Sequence, residues 1–382
     1  MENEDRSYNE GHVEIAGAGP AGLAAAITLA KQGQHVIVHE THKEVGHRFG
    51  GDFQGLENWT TEKDVLVELQ DLGLTTDFNA MPCRNGFAFD SKRKRYEIKS
   101  NEPLFYMVER GPGKGTLDNA LLRQAQSLGV EIRFNSRLHQ MKGKGILAAG
   151  PRVADAIAVG YHFETEMTDG YWVICDNDLA PQGYAYLLVM NGKGTVKSCM
   201  FSDFKQEKLY VQRTVDAFQQ LVGLEMKNQQ AHGGSGNFRI PDSAYSGSHP
   251  LVGEQAGFQD TLWGFGMRLA ISSGILAAQS LLYDTNYDVL WQRELKPQMS
   301  TAVVNRALFS LLGNRSYGWF LRQYISSPNL RELLRSHYQP SLYKQLLSPW
   351  AKWRYQSLRK DVTCDHVDCH CIWCREACCA HD

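Results

Sequence analysis

His12-Val13-Glu14-Ile15-Ala16-Gly17-Ala18-Gly19-Pro20-Ala21-Gly22 is a strand-like apolar run that breaks into a Gly-rich turn. A helix-like run, Leu23 to Lys31, follows and stops at Gly33. His35-Val36-Ile37-Val38-His39 then reads as a second strand ending on Glu40. Strand, Gly-rich turn, helix, strand and acid in this order form a dinucleotide-binding βαβ unit. Gly17 allows the tight turn, Gly19 lets a pyrophosphate approach the backbone, and Gly22 lets the helix pack on the strand. The helix N-terminus, from Pro20 and Ala21, offers free N–H groups to the phosphates. Glu40 can accept hydrogen bonds from ribose hydroxyls. These residues leave FAD and NAD both open.

The chain has 382 residues and a net charge of −2, room for two domains with no global attraction to nucleic acid. No apolar run reaches the roughly 18–20 residues of a membrane span. The acidic start, Met1 to Asp5, is unlike a secretory signal. The expectation is a cytoplasmic protein. Of nine cysteines, Cys83, Cys175 and Cys199 are scattered and six fall between Cys364 and Cys379, which is no disulfide framework.

Residues 41–60 read as a polar Gly-rich loop lining the cofactor site, since it leaves the sheet at its ligand-binding end. Thr61 is expected to cap a helix carrying Val65, Leu66, Leu69 and Leu72. Short strands over 86–109 flank a basic turn, Lys92 to Arg95, read as a solvated hairpin tip. Arg110 opens another Gly-rich turn before a helix from Leu117 to Leu128. Residues 155–205 hold runs rich in aromatic and β-branched residues around Asn191-Gly192, an antiparallel-sheet signature. Val211 to Met226 reads as a helix and Gly233 to Gly236 as a flexible joint. A second landmark is Gly253-Glu254-Gln255-Ala256-Gly257-Phe258, then Gly264-Phe265-Gly266-Met267 and a helix over Leu269–Leu282 with small residues on one face. That helix is expected to pack close to another backbone and to aim its N-terminal dipole at an electron-rich group.

Together the landmarks resemble the FAD-dependent geranylgeranyl reductases and p-hydroxybenzoate-hydroxylase-like monooxygenases. Gly17-Ala18-Gly19-Pro20-Ala21-Gly22 is similar to that family's FAD fingerprint. Arg110 with Leu117, Asp118 and Leu121 looks like its characteristic Arg and following helix, and Ala148-Ala149-Gly150 like its Ala-Thr-Gly strand end. Gly253-Glu254 resembles the Gly-Asp motif that holds the ribityl chain. Gly264, Phe265, Gly266 and Met267 resemble the segment at the flavin N1/O2 edge, and Tyr184 and Tyr186 the aromatic substrate-side strand. The resemblance implies FAD, an apolar or lipid-like substrate and hydride transfer to a C=C bond. A monooxygenase or dehydrogenase, and a flavin redox sensor, are the rival readings.

Three departures bear on chemistry. Glu254 stands where Asp is usual, the hydroxylase-branch Asp-Gly is not evident over 145–160, and the reductases' cysteine is absent from residues 44–55. That loop offers His47, Arg48 and Asp52, the candidate electrostatic and proton-handling groups. No second Gly-rich βαβ unit is present, so the reductant reaches the flavin directly or is a protein electron donor.

The fold class expected is α/β. A Rossmann-type FAD-binding domain spans 10–80, 110–155 and 240–300, and an antiparallel-sheet substrate domain spans 81–109 and 156–239. A helical extension follows over 301–360, with ten Lys or Arg, one acid and interleaved aromatics. That composition suits a solvated cap, or contact with an anionic membrane surface or acidic donor. In the Cys-rich tail, 361–382, Cys369, Cys371, Cys374 and Cys378 could hold zinc. An iron–sulfur centre and a metal-free thiol-rich tail remain open there.

Overall fold

The structure, a computed structural model, describes residues 11–354 apart from 152, 153, 239, 326 and 328. The Cys-rich tail with its candidate zinc ligands lies outside the described residues. The chain enters through β1 (His12–Ala16), α1 (Pro20–Lys31) and β2 (His35–His39). Then come β3 (Phe53–Glu57), α2 (Val65–Asp71), β4 (Ala80–Cys83), β5 (Gly86–Phe89), β6 (Arg95–Ile98), β7 (Phe105–Glu109), α3 (Leu117–Ser127), β8 (Glu131–Arg133) and β9 (Gly145–Leu147). The apolar runs of β1 and β2 pair in parallel, within a four-stranded parallel sheet of order β8-β2-β1-β9. Val13 and Ile15 bury one face of β1, Val36 and Val38 one face of β2, and Ile37 is buried on the other face of β2.

A second sheet follows from β10 (Ala156–Glu164), β11 (Gly170–Ile174), β12 (Tyr184–Met190), β13 (Lys193–Met200), α4 (Glu207–Val222) and β14 (Lys227–Gly236). Its order is β14-β10-β13-β12-β11-β5-β6, antiparallel except where β11 meets β5. The turn at Asn191 and Gly192, both with positive φ, joins β12 to β13. A third sheet, three-stranded, has the order β3-β7-β4. The hairpin β15 (Tyr245–Ser246) and β16 (His249–Pro250) leads to α5 (Met267–Leu282). The small face of α5 meets α1 as expected: a Cβ at Gly274 would lie 2.1 Å from the Ala21 carbonyl oxygen. α6 (Tyr287–Glu294) packs on the core they share, and α7 (Lys296–Leu311), α8 (Tyr317–Ile325), α9 (Leu330–Tyr338) and α10 (Leu342–Arg354) follow through the helical extension.

The structure corrects four readings of the sequence. Residues 53–57 are the strand β3, not loop, because Phe53, Leu56 and Glu57 are buried against β7 while Gly55 leaves space for the Phe265 ring. Gly233 to Gly236 end β14 in register with Ala156–Val159, so this segment is sheet and not a joint. Asp64, not Thr61, caps α2, accepting from the Leu66 N–H at 2.9 Å. Within the basic turn, Arg93 pairs with buried Asp176 at 2.8 Å and is not simply solvated.

Candidate functional site

A continuous cavity of about 1300 Å³ runs from the C-terminal ends of β1 and β2 to α8 and α9. Its polar end is the turn after β1. Gly17 has φ +110°, and a Cβ there would sit 2.2 Å from the Ala148 carbonyl oxygen. Gly19 has nothing within 4 Å of a would-be Cβ, so the turn presents bare backbone to the cavity. No side chain caps the N-terminus of α1. Its first N–H groups are thus left to a ligand. Beside them, Glu40 accepts from the Ala18 N–H at 2.9 Å and the His42 N–H at 3.0 Å, which fixes its carboxylate on the wall.

The segment after β16 forms the facing wall. Val252 donates to the Leu147 carbonyl at 2.9 Å, Gly253 donates to Ser273 Oγ at 2.9 Å, and Gln255 accepts from Ala149 at 2.6 Å. These bonds lock it onto β9 and α5. Glu254 accepts from Gln259 at 3.1 Å and lies 3.6 Å from Arg48. Gly264, Phe265, Gly266 and Met267 line the cavity where α5 begins, again with no side-chain cap. Two helix N-termini, a bare Gly turn and an anchored carboxylate fit the pyrophosphate, ribose and flavin edge of a bound FAD. Arg110 also lines this end. Its guanidinium is held by Asp118 through two bonds of 2.8 Å and by Gln54 at 2.8 Å, and it stacks 4.0 Å over Phe49. It therefore braces residues 46–52 against α3.

The three candidates in that loop part company. His47 is exposed, stacked on His42 with centroids 4.5 Å apart and 3.3 Å from Glu44. Arg48 reaches across the cavity to the Ser235 carbonyl at 3.2 Å. Asp52 is buried, and the structure surrounds it with groups that sequence reading did not single out. Lys197 Nζ is 2.6 Å from its Oδ2, and Thr195 Oγ1 and His162 Nε2 are 3.2 and 3.1 Å from its Oδ1. Lys197 Nζ also lies 2.9 Å from His232 Nδ1, and His232 Nε2 donates to the Arg48 carbonyl at 2.8 Å. His162 and His232 stack at 4.1 Å.

Burial alone would raise the Asp52 carboxyl, but the Lys197 ammonium and both imidazoles outweigh it and hold it well below the usual range. Burial lowers Lys197 from its ordinary value despite Asp52. Burial, then Lys197, pushes His232 down to about 4. Asp52, His162 and His232 offer ligand atoms within 4.8 Å of one another. Lys197 already sits among them as the compensating cation, so the cluster is an ion-pair network rather than a metal centre. Asp52, Lys197 and His232 all line the cavity.

The far end is apolar and aromatic. Phe265 packs edge-on against Trp59 and Phe105, with centroids 4.8 and 5.5 Å away. Tyr184 donates to the Trp263 carbonyl, and Tyr186 lies beside it. Burial raises both phenols well above their ordinary value, so they stay protonated. Tyr171, which no motif in the sequence marks as a site residue, lines this end with a buried hydroxyl that has no hydrogen-bond partner among the described residues. α8 and α9 close the chamber with Phe320, Leu321, Tyr324 and Leu330.

Residues 10–150 match the FAD binding domain family. A digeranylgeranylglycerophospholipid reductase of Haloferax volcanii is 22% identical over 370 residues, covering 80% of this chain and 87% of that protein. A geranylgeranyl bacteriochlorophyll reductase-like protein of Thermoplasma acidophilum superposes with a TM-score of 0.68 at 17% identity, covering 90% of this chain and 98% of that one. A flavin-dependent brominase superposes with a TM-score of 0.64 at 15% identity, covering 86% and 93%. The α/β architecture, the FAD-binding domain and the relation to the geranylgeranyl reductases agree with the reading from sequence.

Proposed function

We propose that this FAD-dependent oxidoreductase, a relative of the geranylgeranyl reductases, reduces C=C bonds of an isoprenoid or other lipid-like substrate. The observation that carries the reading is the continuity of the cavity. A polar end lined by the Gly-rich turn opens without a break into a chamber walled by aromatic and aliphatic side chains.

Bound FAD, once reduced, supplies the hydride. The turn Gly17 to Gly19 and the N-terminus of α1 hold the pyrophosphate, Glu40 the ribose, Glu254 the ribityl chain, and the backbone from Gly264 to Met267 the flavin edge. Lys197 Nζ carries a proton at the cavity wall, and Asp52 fixes that ammonium in place. Delivery of this proton to the second carbon completes addition across the double bond. His232, partly exposed, accepts from Lys197 at Nδ1 and orients that ammonium, and the spent proton is replaced from solvent. Arg48 and His47 set the charge at the rim. Tyr184 and Tyr186 pack on the substrate, and the Trp59, Phe105 and Phe265 wall excludes water. A protein electron donor suits a chain with no second Gly-rich βαβ unit in its sequence. Contact with a membrane surface, and zinc at the four tail cysteines, complete the reading.

The test is anaerobic incubation of the FAD-loaded protein, reduced with dithionite, with digeranylgeranylglycerophospholipid. A gain of two hydrogens per turnover by mass spectrometry is expected. Oxygen insertion under aerobic conditions, with no hydrogen gain, would transfer the site to monooxygenase chemistry.

A further inference from the structure

α10 is built inside out. The face that packs on α7 holds Lys344, Leu347 and Ala351, with Leu347 and Ala351 against Val303, Val304 and Ala307. Lys344 has a reason to be buried: its Nζ donates to the carbonyls of His337 and Gln339 at 2.5 and 3.2 Å, closing the C-terminal end of α9. The opposite face carries Leu342, Leu346, Pro349 and Trp353, spaced i, i+4, i+7 and i+11, one stripe of an α-helix. Leu342, Leu346 and Trp353 are 80%, 82% and 71% exposed, and Tyr343 beside them is 55% exposed. Nothing among the described residues covers this stripe.

The surroundings select the occupant. Lys352 and Arg354 lie on α10 to either side of the stripe, Lys352 half-buried and Arg354 exposed, and Glu332 is the sole acid over residues 301–354. Trp319 on α8 is 55% exposed. Exposed Leu, Trp and Tyr among cations with almost no acid is the composition of a helix lying in a bilayer interface, where indole and phenol rings sit at headgroup level. An acidic protein partner would be met by the cations alone and would leave the Leu–Trp stripe unexplained. The same extension also closes the apolar chamber through α8 and α9, and Ile325 both lines the cavity and is 38% exposed.

We infer that the outward stripe of α10, with its flanking cations, docks in the interface of an anionic lipid bilayer. The inference deepens the membrane contact of the proposed function, but its test uses no turnover, so either can fail alone. Full-length FAD-loaded protein is sedimented with vesicles of phosphatidylcholine, with or without phosphatidylglycerol. Preferential binding to the anionic vesicles, weakened by salt, is expected. L342E/L346E should bind at least about tenfold more weakly, two exposed Leu contacts being lost. V67E, an exposed apolar site on α2, should bind as the parent does. Flavin absorbance and melting temperature verify that each variant is folded. Brominated acyl chains should quench tryptophan fluorescence, and W353F should lose part of that quenching. No binding of the parent to anionic vesicles would overturn the inference. So would equal binding by L342E/L346E, or a parent dimer that this variant dissociates, which would assign the stripe to a second copy.

Discussion

Replacing Lys197 by Met is the sharpest test of the cluster around Asp52. Both partners are about 98% buried and 2.6 Å apart, so the substitution leaves a buried carboxylate with Thr195 Oγ1, His162 and, at 4.0 Å, His232 against it but no ammonium. Breaking one side of such a pair costs about 3–5 kcal/mol. Adding Asp52→Asn removes the stranded charge, and the double variant should recover about 1–3 kcal/mol relative to the sum of the single changes. Urea unfolding at a fixed FAD concentration measures the cycle. The pH dependence adds a sign. In the parent, the Asp52 pKa lies below its unfolded value, so its contribution is present above about pH 4 and is lost as pH falls. Without Lys197 the burial effect dominates and the folded pKa rises above the unfolded one. The Asp52 contribution should then decline as pH rises from about 4. Additive single variants, or K197M and parent profiles of the same slope, would refute the assignment of Lys197 as counter-ion. A K197M variant that folds, binds FAD and reduces substrate at the parent rate would separately remove Lys197 from proton delivery.

Gly19→Val should abolish FAD retention while leaving the fold, because its side chain enters the open space where the pyrophosphate lies; full flavin occupancy by absorbance would sink the site assignment. Reduction of the bound flavin by NAD(P)H should be slow or absent in stopped-flow absorbance, and rapid saturable reduction would count against a protein donor. Asp260 is raised from 3.8 to about 6, chiefly by burial. Its folded pKa exceeds its unfolded one, so stability should fall by about 3 kcal/mol as pH rises from about 4 to about 6, and Asp260→Asn should flatten that interval in thermal melts. Truncation after Lys360 should remove about one zinc per chain by elemental analysis if the four tail thiols form a structural site, and leave FAD bound; a metal-free intact protein would dismiss the zinc site.

What the sequence reveals depends on how the residues are brought together. Gly17, Gly19, Gly22 and Glu40 are legible because one βαβ unit places them through local spacing alone. Gly253 to Met267 is legible through its resemblance to a flavin-binding segment, and the small face of α5 through its composition. Lys197 is different. It sits mid-strand in β13, and the register alone assembles its neighbours. Gly160 of β10 pairs with Lys197 on one side and His232 on the other, and lacking a side chain it leaves their termini 2.9 Å apart. His162, two residues along the same face, pairs with Thr195. The available signal was a lysine alternating with Thr195 within an otherwise buried strand, and it becomes specific only when the partner strands are known. β3 was hidden for another reason. Gly50, Gly51 and Gly55 resemble loop composition, yet Gly55 is glycine because the Phe265 ring occupies the place of its side chain.

Shared architecture leaves the reaction open, since a reductase-like protein and a brominase superpose on this chain about equally well. The residues facing the apolar chamber must then decide it. The sheet carries one buried ammonium to that wall, anchored by a carboxylate on the loop that also holds Arg48. An ammonium with lowered proton affinity beside a water-poor chamber suits a step that consumes a proton at carbon, and adding hydrogen across a double bond is such a step. Tyr171 supplies an independent check. Its hydroxyl is buried without a partner among the described residues, so Tyr171→Phe should leave the free protein as stable as the parent or about 1 kcal/mol more so. If that hydroxyl instead orients a polar group of the substrate, the same variant should lose affinity for substrate while gaining stability. A Y171F protein that is destabilised by melting would show that the hydroxyl has a partner in the folded chain, and its claim as a substrate contact would lapse.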